Sequence, residues 1–555
     1  MEIFPPTNQP CDLVDYNAFE ADPVLSDSLS REAPWALPSL TTLGAHVGDP
    51  DWQEQGHLAN RYSPVLRTFS RQGERIDEVD FHPAWHRLIG LGVEHGVHSL
   101  PWVRKEPGAH QARVAAHYLL TQLEAGVGCR LTMTFASVPS LRRQPELAEE
   151  WVPRITSQVY DFGLRPPQQK QGVLLGMAMT EKQGGSDVRA NTTRATPSQD
   201  GTYRLQGHKW FCSAPMCDAF LTLAQTPAGV TCFLVPRVLP DGSRNRIHIQ
   251  RLKDKLGNRS NASSEIEYHG ALAWRVGEEG RGVPTIIEMV NHTRLDCVVG
   301  TTSLMRAALV QANHHVRHRQ AFGRTLIDQP LMLNVLADLT LEWEASLQLL
   351  LRLARGYDHS QQDPAEAAFV RLATAVSKYW VCKRGAAYAQ EAMECLGGSG
   401  YVEESVMPRI YREMPLSSIW EGSGNVICLD VMRAVVKTPQ TLELFFAELD
   451  KARGTDGHFD EAVQDLKKSW HKPEEAEARR LVETMALTLQ ASLLLRHSPA
   501  AVGDTFCATR LAGAGYRQFG TLPRACDQRA LYQRVSTFDG PLGKPLQQVA
   551  VNQQV

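Results

Sequence analysis

The sequence predicts an α+β chain, mainly α, with one compact β segment between helical ones. Three observations predict it. Leu336, Leu339, Trp343, Leu347, Leu350 and Ala354 recur at three- to four-residue steps and form one broad apolar helix face. From about Gly172 to Gly282 the pattern changes to short β-branched and aromatic pieces parted by Gly, Pro, Asp and Asn. The composition is that of an ordinary globular chain: 555 residues, 43% apolar, 21% charged, net charge −3. Such a chain can bury a large core, and its balance excludes a protein that is basic throughout.

The elements follow in order. Residues 1 to about 80 are rich in Pro and polar residues, with turn signals at Phe4-Pro5-Pro6 and Gly48-Asp49-Pro50. They read as an extended arm with a few short helices. Trp85 to about Ile155 reads as helical, with Gly126 and Gly128 ending one run. Strands are expected at 203–207, 219–223, 231–235, 247–249 and 265–268. No helix of about 10–15 residues lies between them to carry a parallel crossover, so they read as antiparallel. Long helices return from Pro284 to about Val436, with a polar break at Asp358 to Pro364 and a second helix over Ala367 to Met393. The last segment, from Thr438 to Val555, carries a helix over Thr484 to Leu495 and ends in a Gly/Pro/Gln tail. The expected divisions are 1–171, 172–282, 283–436 and 437–555.

Several classes are excluded. No apolar run reaches the ~18 residues of a membrane span. No secretory signal is visible at the N-terminus. Eleven cysteines are scattered singly from Cys11 to Cys526 without a C-x-x-C pair, which points to reduced thiols and the cytoplasm. There is no G-x-G-x-x-G, no P-loop and no G-x-S-x-G. His314, His315 and His318 share a helix, but no Glu follows the first and Arg317 and Arg319 flank the set, so no metal site is expected.

Four segments carry chemistry. In Met177-Ala-Met-Thr-Glu-Lys-Gln-Gly-Gly-Ser-Asp-Val188 the glycine pair lets backbone approach a ligand, and Thr180 and Ser186 add hydroxyls, which suits a phosphate or a heterocycle edge. In Gly207-His-Lys-Trp-Phe-Cys-Ser213 a flat aromatic face stands beside a hydroxyl. Arg317-His-Arg-Gln-Ala-Phe-Gly323 gathers arginines at a helix break. In Ile419-Trp-Glu-Gly-Ser-Gly-Asn425, Glu421 is a lone carboxylate between an indole and a flexible loop, where a dry setting raises its pKa as a base near neutral pH requires.

In this order the segments resemble the acyl-CoA dehydrogenase family, over about residues 85–436. The resemblance is closest to the alkylation-response, AidB-type branch, through Arg251-Leu-Lys-Asp-Lys-Leu-Gly-Asn-Arg-Ser-Asn-Ala262, Tyr411-Arg-Glu-Met-Pro415 and the long extensions at both ends. It implies a helical domain, a central β-barrel and a four-helix bundle, plus an extra C-terminal helical domain. It implies FAD, a homotetramer and α,β-dehydrogenation of a short or branched acyl-CoA, with Glu421 as base, hydride passing to the flavin and weak activity. The cofactor residues it implies are Met179, Thr180, Gly185, Ser186, Val188, Phe211, Cys212, Ser213, Ile419, Trp420, Gly422, Ser423 and Asn425, with Arg319 and Phe322 reaching a neighbouring subunit's FAD. Arg294 stands where other members carry a base on the earlier helix, which favours Glu421. Glu394 replaces a family Gln before Leu396-Gly-Gly398.

The resemblance also implies duplex DNA as a partner of the last segment, and hence a protective flavoprotein with residual dehydrogenase activity as the alternative function. Residues 496–544 carry a net charge of +4, with Arg510, Arg517, Arg524 and Arg529 as candidate phosphate contacts and Tyr516 among them. No helix-turn-helix or zinc finger supports base-specific reading.

Overall fold

The computed structural model describes residues 7–515 and 517–535; Phe4-Pro5-Pro6, Tyr516 and the Gly/Pro/Gln tail lie outside the described residues. The chain opens with three helices, α1 (Pro23–Glu32), α2 (Leu37–Gly48) and α3 (Pro50–Arg61). Short helices are expected here, but they pack on the core instead of lying along an extended arm. The prolines stand in the first turn of each helix, where the missing N–H costs nothing, and Asp22 and Asp49 cap α1 and α3. Leu25, Leu29, Leu40 and Leu43 are buried from this segment into the common core. A hairpin, β1 (Val65–Phe69) with β2 (Arg75–Asp80), follows, then α4 (Pro83–Glu94), α5 (Leu100–Val103), α6 (Ala109–Leu123), α7 (Gly126–Leu141) and α8 (Pro145–Ile155).

The middle is a seven-stranded sheet of β3 (Leu175–Ala178), β4 (Arg194–Pro197), β5 (Tyr203–Ser213), β6 (Ala219–Thr226), β7 (Gly229–Pro236), β8 (Ile247–Leu252) and β9 (Ser263–Val276). The pairings β5–β9, β9–β7, β7–β6, β6–β3 and β3–β5 run round in a closed ring, which makes it barrel-like. Most pairs are antiparallel, as expected. The exceptions involve β6, which runs parallel to β3 from Leu175↔Ala219 to Ala178↔Thr222 and to β4 at Arg194↔Gln225, and the chain between β3 and β6 passes through β4 and β5 with no α-helix.

The helical half is built on α9 (Gly282–His318), a 37-residue helix. A small ribbon, β10 (Gln320–Ala321) with β11 (Arg324–Thr325), leads into α10 (Pro330–His359) and α11 (Pro364–Glu394); α12 (Gly398–Tyr401), α13 (Met407–Glu413) and α14 (Gly424–Lys437) follow. Helices α9, α10, α11 and α14 pack as a bundle against α6 and α7. Helices α15 (Gln440–Asp450), α16 (Gly457–Ser469), α17 (Ala478–His497), α18 (Ala500–Phe506) and α19 (Gln528–Gln533) complete the described chain. This last segment is welded to the bundle: α17 and α19 pack on α10, and Arg534 holds Glu344 at 2.9 Å. Among the described residues no helix is long and apolar enough to cross a membrane.

Candidate active site

Glu421 lies in the loop between α13 and α14, and two cations shape its backbone through three hydrogen bonds. The Lys378 ammonium of α11, buried in the bundle, donates to the carbonyls of Trp420 (2.9 Å) and Gly422. Arg294 of α9 donates from Nε to the Glu421 carbonyl at 3.1 Å and is itself held by Asp430 at 2.6 Å. The loop they hold is contorted: Glu421 has φ 58°, a left-handed conformation that costs a non-glycine residue energy, and Gly422 follows at φ 108°. A strained backbone clamped by three surrounding cationic bonds is a common mark of a functional position.

The Glu421 side chain is held too. Thr293 donates its hydroxyl to Oε2 at 2.7 Å. Burial pushes the carboxyl's pKa up, against the opposing pull of the Thr293 bond and of nearby Arg294 and Lys378. A cavity of about 70 Å³ opens beside it, between α6, α7, α9 and the end of β3. Trp420, Met177 and Ser213 line its near side. Part of its wall is polar: Asp296, Thr132 and His117 line it, with Arg113 forking onto Asp296 and Thr132 donating to it at 2.5 Å. Burial works against the Asp296 carboxylate, but Arg113 outweighs it and holds its pKa far below the usual range.

The residues expected to hold a flavin gather on the sheet next to this cavity. Met177 of β3 pairs with Ser213 of β5, and the Trp210 N–H bonds the Thr180 carbonyl at 2.8 Å. Gly185 folds back against Thr180, where a Cβ would stand 2.4 Å from Thr180 Oγ1, so only glycine fits. Ser186 is exposed and Val188 packs partly on the core. On β5 the alternation turns Phe211, 46% exposed, and Ser213 outward. It turns the Cys212 side chain into the barrel core, so Cys212 would meet a cofactor through its backbone. The open glycine cradle, the outward aromatic and hydroxyl, and the buried Trp420 Nε1 without a partner fit a planar, phosphate-bearing cofactor. Ile419 and Ser423 are exposed in the same loop, and Asn425 Oδ1 accepts from Arg479 of α17 at 2.9 Å.

Two expected residues lie elsewhere. Phe322 stands at the tip of the β10–β11 ribbon, 99% exposed, and Arg319 at its base is tied to the Asn8 carbonyl at 2.5 Å. Among the expected phosphate contacts, Arg510 is 5% exposed, with its guanidinium bound to Asp338 and Glu342 of α10. That expectation is corrected: the charge is spent inside the protein. Arg517, Arg524 and Arg529 are exposed.

The cavity also holds a carboxyl that the sequence reading missed. Glu413 accepts from the Asn258 N–H at 2.6 Å, and its pKa is pushed up to about 7 by burial and by neighbouring Glu124. Lys378, Arg113 and Asp296 were missed as well. No local signal marks them, because their partners are 42 to 183 residues away.

Three family models match the chain. Adaptive response protein AidB N-terminal domain covers 8–162, the acyl-CoA dehydrogenase middle domain 176–271, and the acyl-CoA dehydrogenase C-terminal domain 280–436. The chain is 45% identical to AidB of Escherichia coli over 92% of its own length and 94% of that protein's. It is 31% identical to acyl-CoA dehydrogenase family member 11 of Caenorhabditis elegans, over 88% and 80% of the two chains. The crystal structure of Caenorhabditis elegans ACDH-11 in complex with C11-CoA superposes with a TM-score of 0.81 at 27% identity, covering 96% of this chain and 93% of that one. Butyryl-CoA dehydrogenase of Megasphaera elsdenii shares the fold, with a TM-score of 0.55 at 19% identity, over 74% and 98% of the chains.

Proposed function

The chain belongs to the acyl-CoA dehydrogenase family, and from that premise we propose that it oxidises a short or branched acyl-CoA, with Glu421 as the base that takes the α-proton. Proteins of this family bind FAD, which supplies the hydride acceptor when bound. In this chain Met179, Thr180, Gly185, Ser186, Val188, Phe211, Ser213 and the Cys212 backbone would hold it from the barrel, and Ile419 to Asn425 from the loop.

The protein's own residues do the rest. Thr293 engages Oε2 of Glu421 and fixes the carboxylate's direction, leaving Oε1 for the proton. Burial makes the carboxyl a stronger proton acceptor than an exposed glutamate. Lys378 and Arg294 keep the loop in its contorted form, so the base is placed before the substrate arrives. The observation that carries the reading is this oriented, buried carboxyl opening on the cavity beside Met177 and Ser213.

The chain-length preference rests on the same cavity. It is small, about 70 Å³, and its wall includes Asp296, ionised and held by Arg113. A long straight acyl chain would have to press apolar carbons against that pair. Anaerobic titration of the FAD-loaded protein with acyl-CoAs of increasing length tests this: short and branched thioesters bleach the flavin and long straight ones do so weakly, whereas efficient bleaching by a long chain refutes the preference.

Two further parts of the reading have narrower support. Phe322 and Arg319 project from the bundle end, which supports a homotetramer in which they reach a neighbour's cofactor. Eleven unpaired cysteines suit a reducing cytoplasm. Duplex DNA as a second partner draws on the match to the adaptive-response N-terminal domain and on exposed Arg517, Arg524 and Arg529. Replacing those three by alanine should flatten the salt dependence of duplex binding by about two to three in log–log slope; a parent protein that binds no duplex at low salt ends that second reading.

A further inference from the structure

A second and larger cavity, about 360 Å³, lies on the other side of α7, between the β1–β2 hairpin, the 157–174 segment and the 216–218 turn. Its volume falls within the ~300–1,000 Å³ typical of small-molecule sites. Helix α7 separates it from the acyl cavity: Cys129 and Met133 line that one, Arg130 this one.

The charges around it do not cancel. Five carboxylates line it, and each has a cation. Asp80 and Glu78 pair with Arg67, at 2.6 and 2.9 Å, and Asp77 with Arg75 at 2.8 Å. Asp161 pairs with Arg165 and Asp218 with Lys170, both at 2.5 Å. Arg244 is also bound to Glu78, which leaves two guanidiniums of the lining, Arg130 and Arg237. Arg237, buried, donates only to main-chain carbonyls, those of Pro215 and Asp77. Arg130 is 3% exposed, stacks over the Trp85 indole at 4.6 Å and lies against the neutral Tyr160 and Cys217, with no carboxylate in ion-pair contact. Among the described residues no carboxylate stands within ion-pairing distance of either. A buried guanidinium without a counter-ion is costly, and its planar fork matches a carboxylate.

We propose that this cavity binds a small organic carboxylate, with Arg130 and Arg237 supplying the countercharge. The carboxylate-rich rim disfavours a dianion such as phosphate. Val93, Leu164, Val173 and Met216 supply an apolar wall for the carbon part of the ligand. The proposal does not depend on the dehydrogenase reading, since the two cavities share no lining residue.

Calorimetric titration of the full-length, FAD-loaded protein with propionate, butyrate and inorganic phosphate, at constant ionic strength, tests it. The expected result is saturable binding of one of the two carboxylates, with phosphate at least about tenfold weaker. Arg130→Gln should weaken carboxylate binding by about tenfold or more. Leu164→Trp fills the cavity from the opposite wall without touching either arginine, and should abolish binding even if the Arg130 variant does not fold. No binding of either carboxylate, phosphate binding as tight as carboxylate, or binding unchanged in Leu164→Trp overturns the proposal.

Discussion

Replacing Thr293 by valine removes the hydroxyl that donates to Glu421 Oε2 at 2.7 Å and keeps the side chain's shape. A hydrogen bond to a charged group contributes about 1.5–3 kcal/mol. Arg294 and Lys378 also favour the carboxylate and remain in the variant, which puts the loss near the lower end, about 1.5 kcal/mol. The bond favours the carboxylate over the acid, so without it Glu421 holds its proton more tightly. A loss of that size is about tenfold in the ionisation equilibrium. Only the carboxylate can act as base, so the acid limb of kcat/KM against pH should move to higher pH by about one unit, with the alkaline plateau kept within a few fold. The assay is flavin reduction by a short acyl-CoA across pH, followed by absorbance. An acid limb that stays in place or moves to lower pH refutes the idea that Thr293 tunes the base.

Three other outcomes follow from the structure. Gly185→Ala forces a methyl to within 2.4 Å of Thr180 Oγ1, so the purified variant should carry less FAD per chain than the parent; an unchanged flavin ratio contradicts the cradle. Arg510→Met strands Asp338 in the core, while Glu342 keeps Arg384, and should destabilise the protein by about 3 kcal/mol in urea unfolding, while duplex binding, if present, stays as it was. Glu181 meets its opposing influences in the order burial, which raises its pKa, then Lys209 and the Thr192 and Thr193 contacts, which win and bring it to about 2. Its folded value is depressed, so its contribution to stability is present above the ordinary value of 4.5 and is lost as pH falls toward about 2. A Glu181→Gln variant should therefore show a shallower fall in Tm than the parent across that window.

Much of this was legible because it is local. The periodicity of Leu336 to Ala354 marks α10, and the short β-rich pieces mark β5 to β9, since side-chain spacing reports directly which face is buried. The glycine pair at 184–185 and the loop around Glu421 were readable because close backbone approach and an isolated carboxylate both leave a trace in composition. What was misread depends on partners far away. Pro50 signals a turn in isolation, yet it starts a helix whose buried face is completed by α4 and α6. Arg510 counts as surface charge until Asp338 and Glu342, 168 to 172 residues earlier, are brought against it. Thr293 and Lys378 have no motif at all; their roles come from the loop that the fold lays over them.

The central claim is that Glu421 is the base. Anaerobic addition of a short acyl-CoA to the FAD-loaded Glu421→Gln protein tests it most directly, because glutamine keeps the size of the side chain and an acceptor for Thr293 while removing the proton-accepting carboxylate. The account predicts that the variant retains its FAD spectrum and binds the thioester, but that the flavin no longer bleaches. Bleaching at the parent's rate would contradict it.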